Sequence, residues 1–63
     1  MVTFIFRNKE YQLKSGMTLE TSLSKLNLLP EAVLAIRNGE LVTEDEIIHE
    51  GQTIKLVEVI SGG

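Results

Sequence analysis

Few side chains in this chain are spaced for chemistry. The one histidine, His49, sits between Glu46 and Glu50, and imidazole with two carboxylates suggests a metal ligand set. The same residues belong to an acidic run with Glu44 and Asp45. Such runs are ordinarily solvated surface, so no metal site is expected there. Ser15, Ser22 and Ser24 have no base at a spacing that would activate a hydroxyl. No glycine-rich phosphate loop follows a strand pattern. The absence of cysteine removes a thiolate zinc site, a cysteine nucleophile and a disulfide framework together. No catalytic residue is expected, and the chain is read as not an enzyme.

What remains is Gly62-Gly63. Two residues without Cβ atoms can thread a narrow channel in extended form. The group they deliver is the α-carboxylate of Gly63, a poor electrophile. ATP converts such a carboxylate into an acyl-adenylate, whose carbonyl a sulfur or amine nucleophile attacks. On that reading the chain is substrate and carrier, and the enzyme is its partner. Two alternatives stay open: a protein modifier joined to lysine amines, and a passive interaction domain whose Gly-Gly is incidental.

The elements that position this end follow from periodicity. Residues 2–7 alternate Val2, Phe4, Phe6 against Thr3, Ile5, Arg7, a strand with one buried face. Asn8-Lys9 breaks the pattern and residues 10–13 alternate again, which predicts a hairpin. Thr18 is placed to cap a helix, with Glu20 in its first turn. Leu19, Leu23 and Leu26 form its apolar stripe, and Pro30 sets its end at about Leu28. Residues 32–37 read as a third strand. Asn38-Gly39 is the strongest hairpin signal present, with 40–42 returning as a short fourth strand. Residues 43–50 are expected to form a short helical turn anchored by Ile47-Ile48. Residues 52–60 form the longest strand pattern, and 61–63 a flexible tail. The expectation is one α+β domain over residues 1–63, its mixed sheet of four to five strands crossed on one face by one helix. That order is the order of the β-grasp fold, in which the first and last strands lie parallel at the centre.

The segments Leu34–Val42, Glu50–Ile54 and Val57–Gly63 resemble the ThiS/MoaD family of ubiquitin-like sulfur carriers, over the whole chain. The Val-Ile-small-Gly-Gly ending is most similar to the ThiS branch. The resemblance implies that Gly63 is adenylated by an E1-like enzyme of the ThiF/MoeB type using ATP and magnesium, and is then converted to a thiocarboxylate. It implies thiazole synthase as the sulfur acceptor, in thiamine biosynthesis. Molybdopterin synthesis, tRNA thiolation and conjugation to lysines are the family's other outlets. The acidic Thr43–Ile47 loop is similar to archaeal modifiers.

Six basic and nine acidic residues give a net charge of −3. Nucleic-acid binding requires a basic stripe that these scattered cations do not make. No apolar stretch approaches the ~20 residues of a membrane span, and the N-terminus lacks the pattern of a signal peptide. A cytoplasmic monomer, with no cofactor of its own, is the expectation. The last strand offers two rows: Ile54, Leu56, Glu58 and Ile60, and Thr53, Lys55, Val57 and Val59. The bulky Ile54 and Leu56 assign the first row to the helix, with Glu58 tolerated where the core thins. Val57 and Val59 then face outward beside Ile5, as a docking patch for the partner. Partial cover by the chain's own loops is the alternative.

Overall fold

The computed structural model describes residues 1–59. Val2–Phe6 (β1) and Lys9–Leu13 (β2) pair antiparallel, with Phe6 opposite Lys9. The turn therefore falls on Arg7-Asn8, and the first strand stops one residue short of the expected 2–7. Arg7 and Asn8 take φ of 53° and 63°, the left-handed pair that a type I′ turn requires. Arginine is an uncommon choice there. Its guanidinium lies 5.2 Å from the Phe6 ring centroid and pairs with Glu58, interactions that hold the turn.

Leu19–Lys25 forms the single α-helix (α1) among the described residues. The Thr21 N–H donates to Thr18 Oγ1 at 3.2 Å, the N-cap that the sequence signals. The helix ends three residues before the expected Leu28, and Pro30 is not the cause. Asn27 adopts φ 60°. The N–H of Leu28 donates to Leu23 O at 2.9 Å, and that of Asn27 to Ser24 O at 3.0 Å. This is a Schellman stop, with asparagine in the place glycine usually holds. Pro30 instead opens a 3₁₀ turn, Pro30–Ala32, so the next strand begins at Val33 and not at residue 32.

Val33–Arg37 (β3), Glu40–Val42 (β4) and Thr53–Glu58 (β5) complete a five-stranded sheet in the order β2-β1-β5-β3-β4. β5 is parallel to β1 and antiparallel to β3, so the first and last strands sit together at the centre. The helix covers one face. Val2, Phe4, Val33, Ala35, Val42, Ile54 and Leu56 meet Leu19, Leu23 and Ile48 in the core. Ser22 is the buried polar residue among them, and its hydroxyl donates to the Thr18 carbonyl at 3.0 Å, so that among the described residues no buried side-chain polar atom is left unpaired.

Residues 43–50 are not helical. The Glu46 N–H donates to Thr43 O, and the Thr43 N–H donates to Glu46 Oε2 at 2.9 Å, closing a turn. Beyond it Ile47 bridges Thr18 and Ile48 enters the core. The loop serves the helix start: Leu19 N–H donates to Glu46 O at 2.8 Å, and Glu20 N–H to Glu44 O at 3.0 Å. Helical dihedrals from 43 to 50 would turn these carbonyls along their own axis and leave the orphan donors of α1 unmet.

Candidate functional site

The site grows out of the end of β5. Ile54 and Leu56 are buried under α1, while Lys55 and Val57 face water on the opposite side of the sheet and Val59, just past the strand, is exposed. The Val59 N–H donates to Ala32 O at 2.9 Å. That bond ties the last described residue to the end of the 3₁₀ turn Pro30–Ala32, just before β3. Ile60 and the expected activated residues Gly62 and Gly63 lie outside the described residues.

The register assembles the outer face. Ile5 pairs with Glu10 on one side and Lys55 on the other; Ile36 pairs with Lys55 and with Leu41. One row therefore crosses the sheet as Glu10, Ile5, Lys55, Ile36 and Leu41. A second row, one step nearer the end of β5, sets Val57 opposite Leu34. Leu34, Leu41, Val57 and Val59 are 45%, 64%, 39% and 42% exposed, and Ile5 and Ile36 are half-buried. Of the three residues expected from sequence, Ile5 and Val57 share this face, while Val59 lies beyond the end of β5 and lines a groove with Leu28, Leu29 and Ala32. Leu34, Ile36 and Leu41 belong to it as well and were not anticipated. β3 is apolar on both of its rows, so alternation alone cannot say which row faces out. The Asn38-Gly39 turn with the 35–42 register decides it, because it puts Ala35 and Val42 in the core and Ile36 and Leu41 outside.

The Arg7–Glu58 pair joins the ends of β1 and β5. Glu58 stands in the row that meets the helix, yet it is exposed and matched by a cation, which removes the conflict with an apolar row. His49, Glu46 and Glu50 do not converge. The His49 N–H donates to Gln52 Oε1 at 3.0 Å, Glu46 turns to Arg37 at 3.4 Å, and Glu50 pairs with the Met1 ammonium. That pairing, a hydrogen bond with Ser15 and the charge of the ammonium hold the Glu50 carboxyl below the usual carboxylate range. Among the described residues no group of three or more metal-ligating side chains assembles, and no helix is long and apolar enough to cross a membrane.

A five-stranded mixed sheet with a central parallel pair, crossed on one face by one helix, is a ubiquitin-like β-grasp fold. Within that class the sequence matches the ThiS family over residues 2–63, and the chain belongs to that family. It is similar to the sulfur carrier protein TtuB of Thermus thermophilus, with 38% identity over 55 residues, which cover 87% of this chain and 85% of that protein.

Proposed function

We propose that this protein is a sulfur carrier whose working group is the carboxylate of Gly63. The observation that carries the reading is membership of the ThiS family over residues 2–63, a span that includes the Gly62-Gly63 ending. Similarity to a protein named as a sulfur carrier supports it. The chain is then a single domain, residues 1–63, that presents residues 61–63 as an arm to other enzymes. It acts as substrate in the cytoplasm and catalyses nothing itself.

The chemistry has two steps. The Gly63 carboxylate attacks the α-phosphorus of ATP, held with magnesium on an E1-like adenylating enzyme of the ThiF/MoeB type. Pyrophosphate leaves, and the acyl-adenylate forms. Hydrosulfide then attacks the carbonyl carbon and AMP departs, leaving, after loss of a proton, a thiocarboxylate on Gly63. The sheet's outer face, with Ile5 and Val57, docks on the adenylating enzyme together with Val59 at the root of the arm, while Gly62-Gly63 enters its active site. The exposure of Val57 and Val59 and their place just before the arm support that role. Apolar side chains gathered on an otherwise solvated sheet face are the usual mark of a contact surface.

The acceptor we assign is thiazole synthase, in thiamine biosynthesis, on the strength of the Val59-Ile60-Ser61-Gly62-Gly63 ending. Deletion of the gene tests this. Growth that fails in minimal medium and is restored by the thiazole moiety alone is the expected result. Loss of thiolated uridine in tRNA or of molybdopterin, with thiamine synthesis intact, would move the acceptor to those pathways. Gly-Gly remnants on lysines of other proteins that vanish in the deletion strain would make the chain a modifier.

A further inference from the structure

The outer face of the sheet carries one charge at its middle. Lys55 lies between Ile5 and Ile36 in the same row, with Val57 two residues along its own strand. Glu10, the acidic residue of that row, is separated from Lys55 by the whole of β1. Among the described residues the ion pairs are Met1–Glu50, Arg7–Glu58 and Arg37–Glu46, and Lys55 is in none of them. A partner that covers the apolar residues also strips water from this ammonium. A desolvated cation is tolerated only when an anion meets it.

We infer that Lys55 is the specificity-determining residue of the docking face, and that the adenylating enzyme presents to it a carboxylate set within an apolar surface. The inference rests on the docking role proposed above for this face. The charge argument disfavours a second copy centred on this residue: a two-fold axis passing at Lys55 would set one ammonium against the other. A lysine here therefore favours a partner with an acidic centre and disfavours self-pairing about it, the repulsive element that specificity commonly needs. The chain's net charge of −3 would suggest a basic partner surface; at this face the local charge has the opposite sign and governs.

The experiment measures binding to the ThiF/MoeB-type enzyme of the same organism at low and high salt, for the wild type, Lys55→Arg, Lys55→Met and Val57→Asp. Thermal melts confirm that each variant is folded. Lys55→Met is expected to bind about 30-fold more weakly, because it leaves the partner's carboxylate buried and unpaired. It should also lose most of the wild type's salt dependence, while Lys55→Arg retains both affinity and salt dependence. Wild-type affinity and salt dependence in Lys55→Met would overturn the role of Lys55, provided Val57→Asp still weakens binding. If Val57→Asp also binds normally, the docking face itself is wrong. A wild-type protein that sediments as a dimer, dissociated by Val57→Asp, would give the face to a second copy and overturn the proposal.

Discussion

Replacing Val57 with aspartate separates docking from folding, because the residue is exposed where Leu56, one residue earlier, is buried. At 39% exposure, Val57 keeps about three-fifths of its surface out of water. Full burial of a valine side chain stabilises by roughly 1.5 kcal/mol at the lower end of the range, so its share here is about 1 kcal/mol. Aspartate in a strand adds up to about 1 kcal/mol more. A chain of 63 residues has roughly 3–9 kcal/mol in hand, so the variant stays predominantly folded. Leu56, one residue earlier and 4% exposed, is the control. An aspartate there puts an unpaired carboxylate in the core, at a cost of about 5 kcal/mol or more, and should unfold the domain. At the interface the Val57→Asp carboxylate loses its water against an apolar partner, and a penalty of about 3 kcal/mol there is roughly a 100-fold loss of affinity. Urea denaturation followed by circular dichroism measures the first quantity. Calorimetric titration with the adenylating enzyme measures the second. Unfolding of Val57→Asp with a stable Leu56→Asp would mean the two faces are reversed. A stable Val57→Asp that binds normally would mean the partner docks elsewhere.

Three further outcomes are expected. Leu23→Ala should lower stability by about 2–5 kcal/mol, since Leu23 is the central residue of the helical stripe and is 1% exposed; a change within about 0.5 kcal/mol in urea denaturation would contradict the packing of α1 on the sheet. Deleting Gly62 and Gly63 should leave the melting temperature unchanged while abolishing adenylate formation, because the core and the Val59–Ala32 bond lie upstream; a large drop in melting temperature would refute this. Glu50 has a folded pKa below its unfolded one, held down chiefly by the hydrogen bond from the Met1 ammonium. Its contribution is therefore present above the unfolded value and is lost as pH falls through the folded one. The wild type should melt above Glu50→Gln at neutral pH, with the gap closing in acid, and an unchanged gap across that range would remove the ion pair from the account.

Much of the fold is legible in the residues, and the parts that are not have identifiable physics. The alternation of β1 and β5 assigns their buried rows because Phe4, Ile54 and Leu56 are bulky and their neighbours are polar or smaller. Asn38-Gly39 fixes the β3–β4 turn because glycine takes the positive φ of 81° without strain. Arg7 misleads, since its place in the alternation suits a strand, whereas its left-handed turn conformation is held by contacts with Glu58 and the Phe6 ring. The helix end misleads for a related reason: Asn27 supplies the left-handed residue, so the helix stops before proline has any influence. The acidic loop is unreadable locally, because its carbonyls are fixed by donors of α1 more than twenty residues earlier. The apolar outer face of the sheet is half legible. Val57 declares itself by breaking the polar alternation of β5, whereas Leu34, Ile36 and Leu41 join it only through strand register. Gly62-Gly63 lie outside the described residues, and their reading rests on chemistry alone.

The most direct test of the carrier role is the intact mass of the protein after incubation with the adenylating enzyme, ATP, magnesium and a sulfur source. The account predicts a gain equal to the replacement of one oxygen by sulfur, located on the C-terminal peptide and absent when ATP is withheld or Gly63 is deleted. An unchanged mass, under conditions in which the same enzyme loads another sulfur carrier, would contradict it.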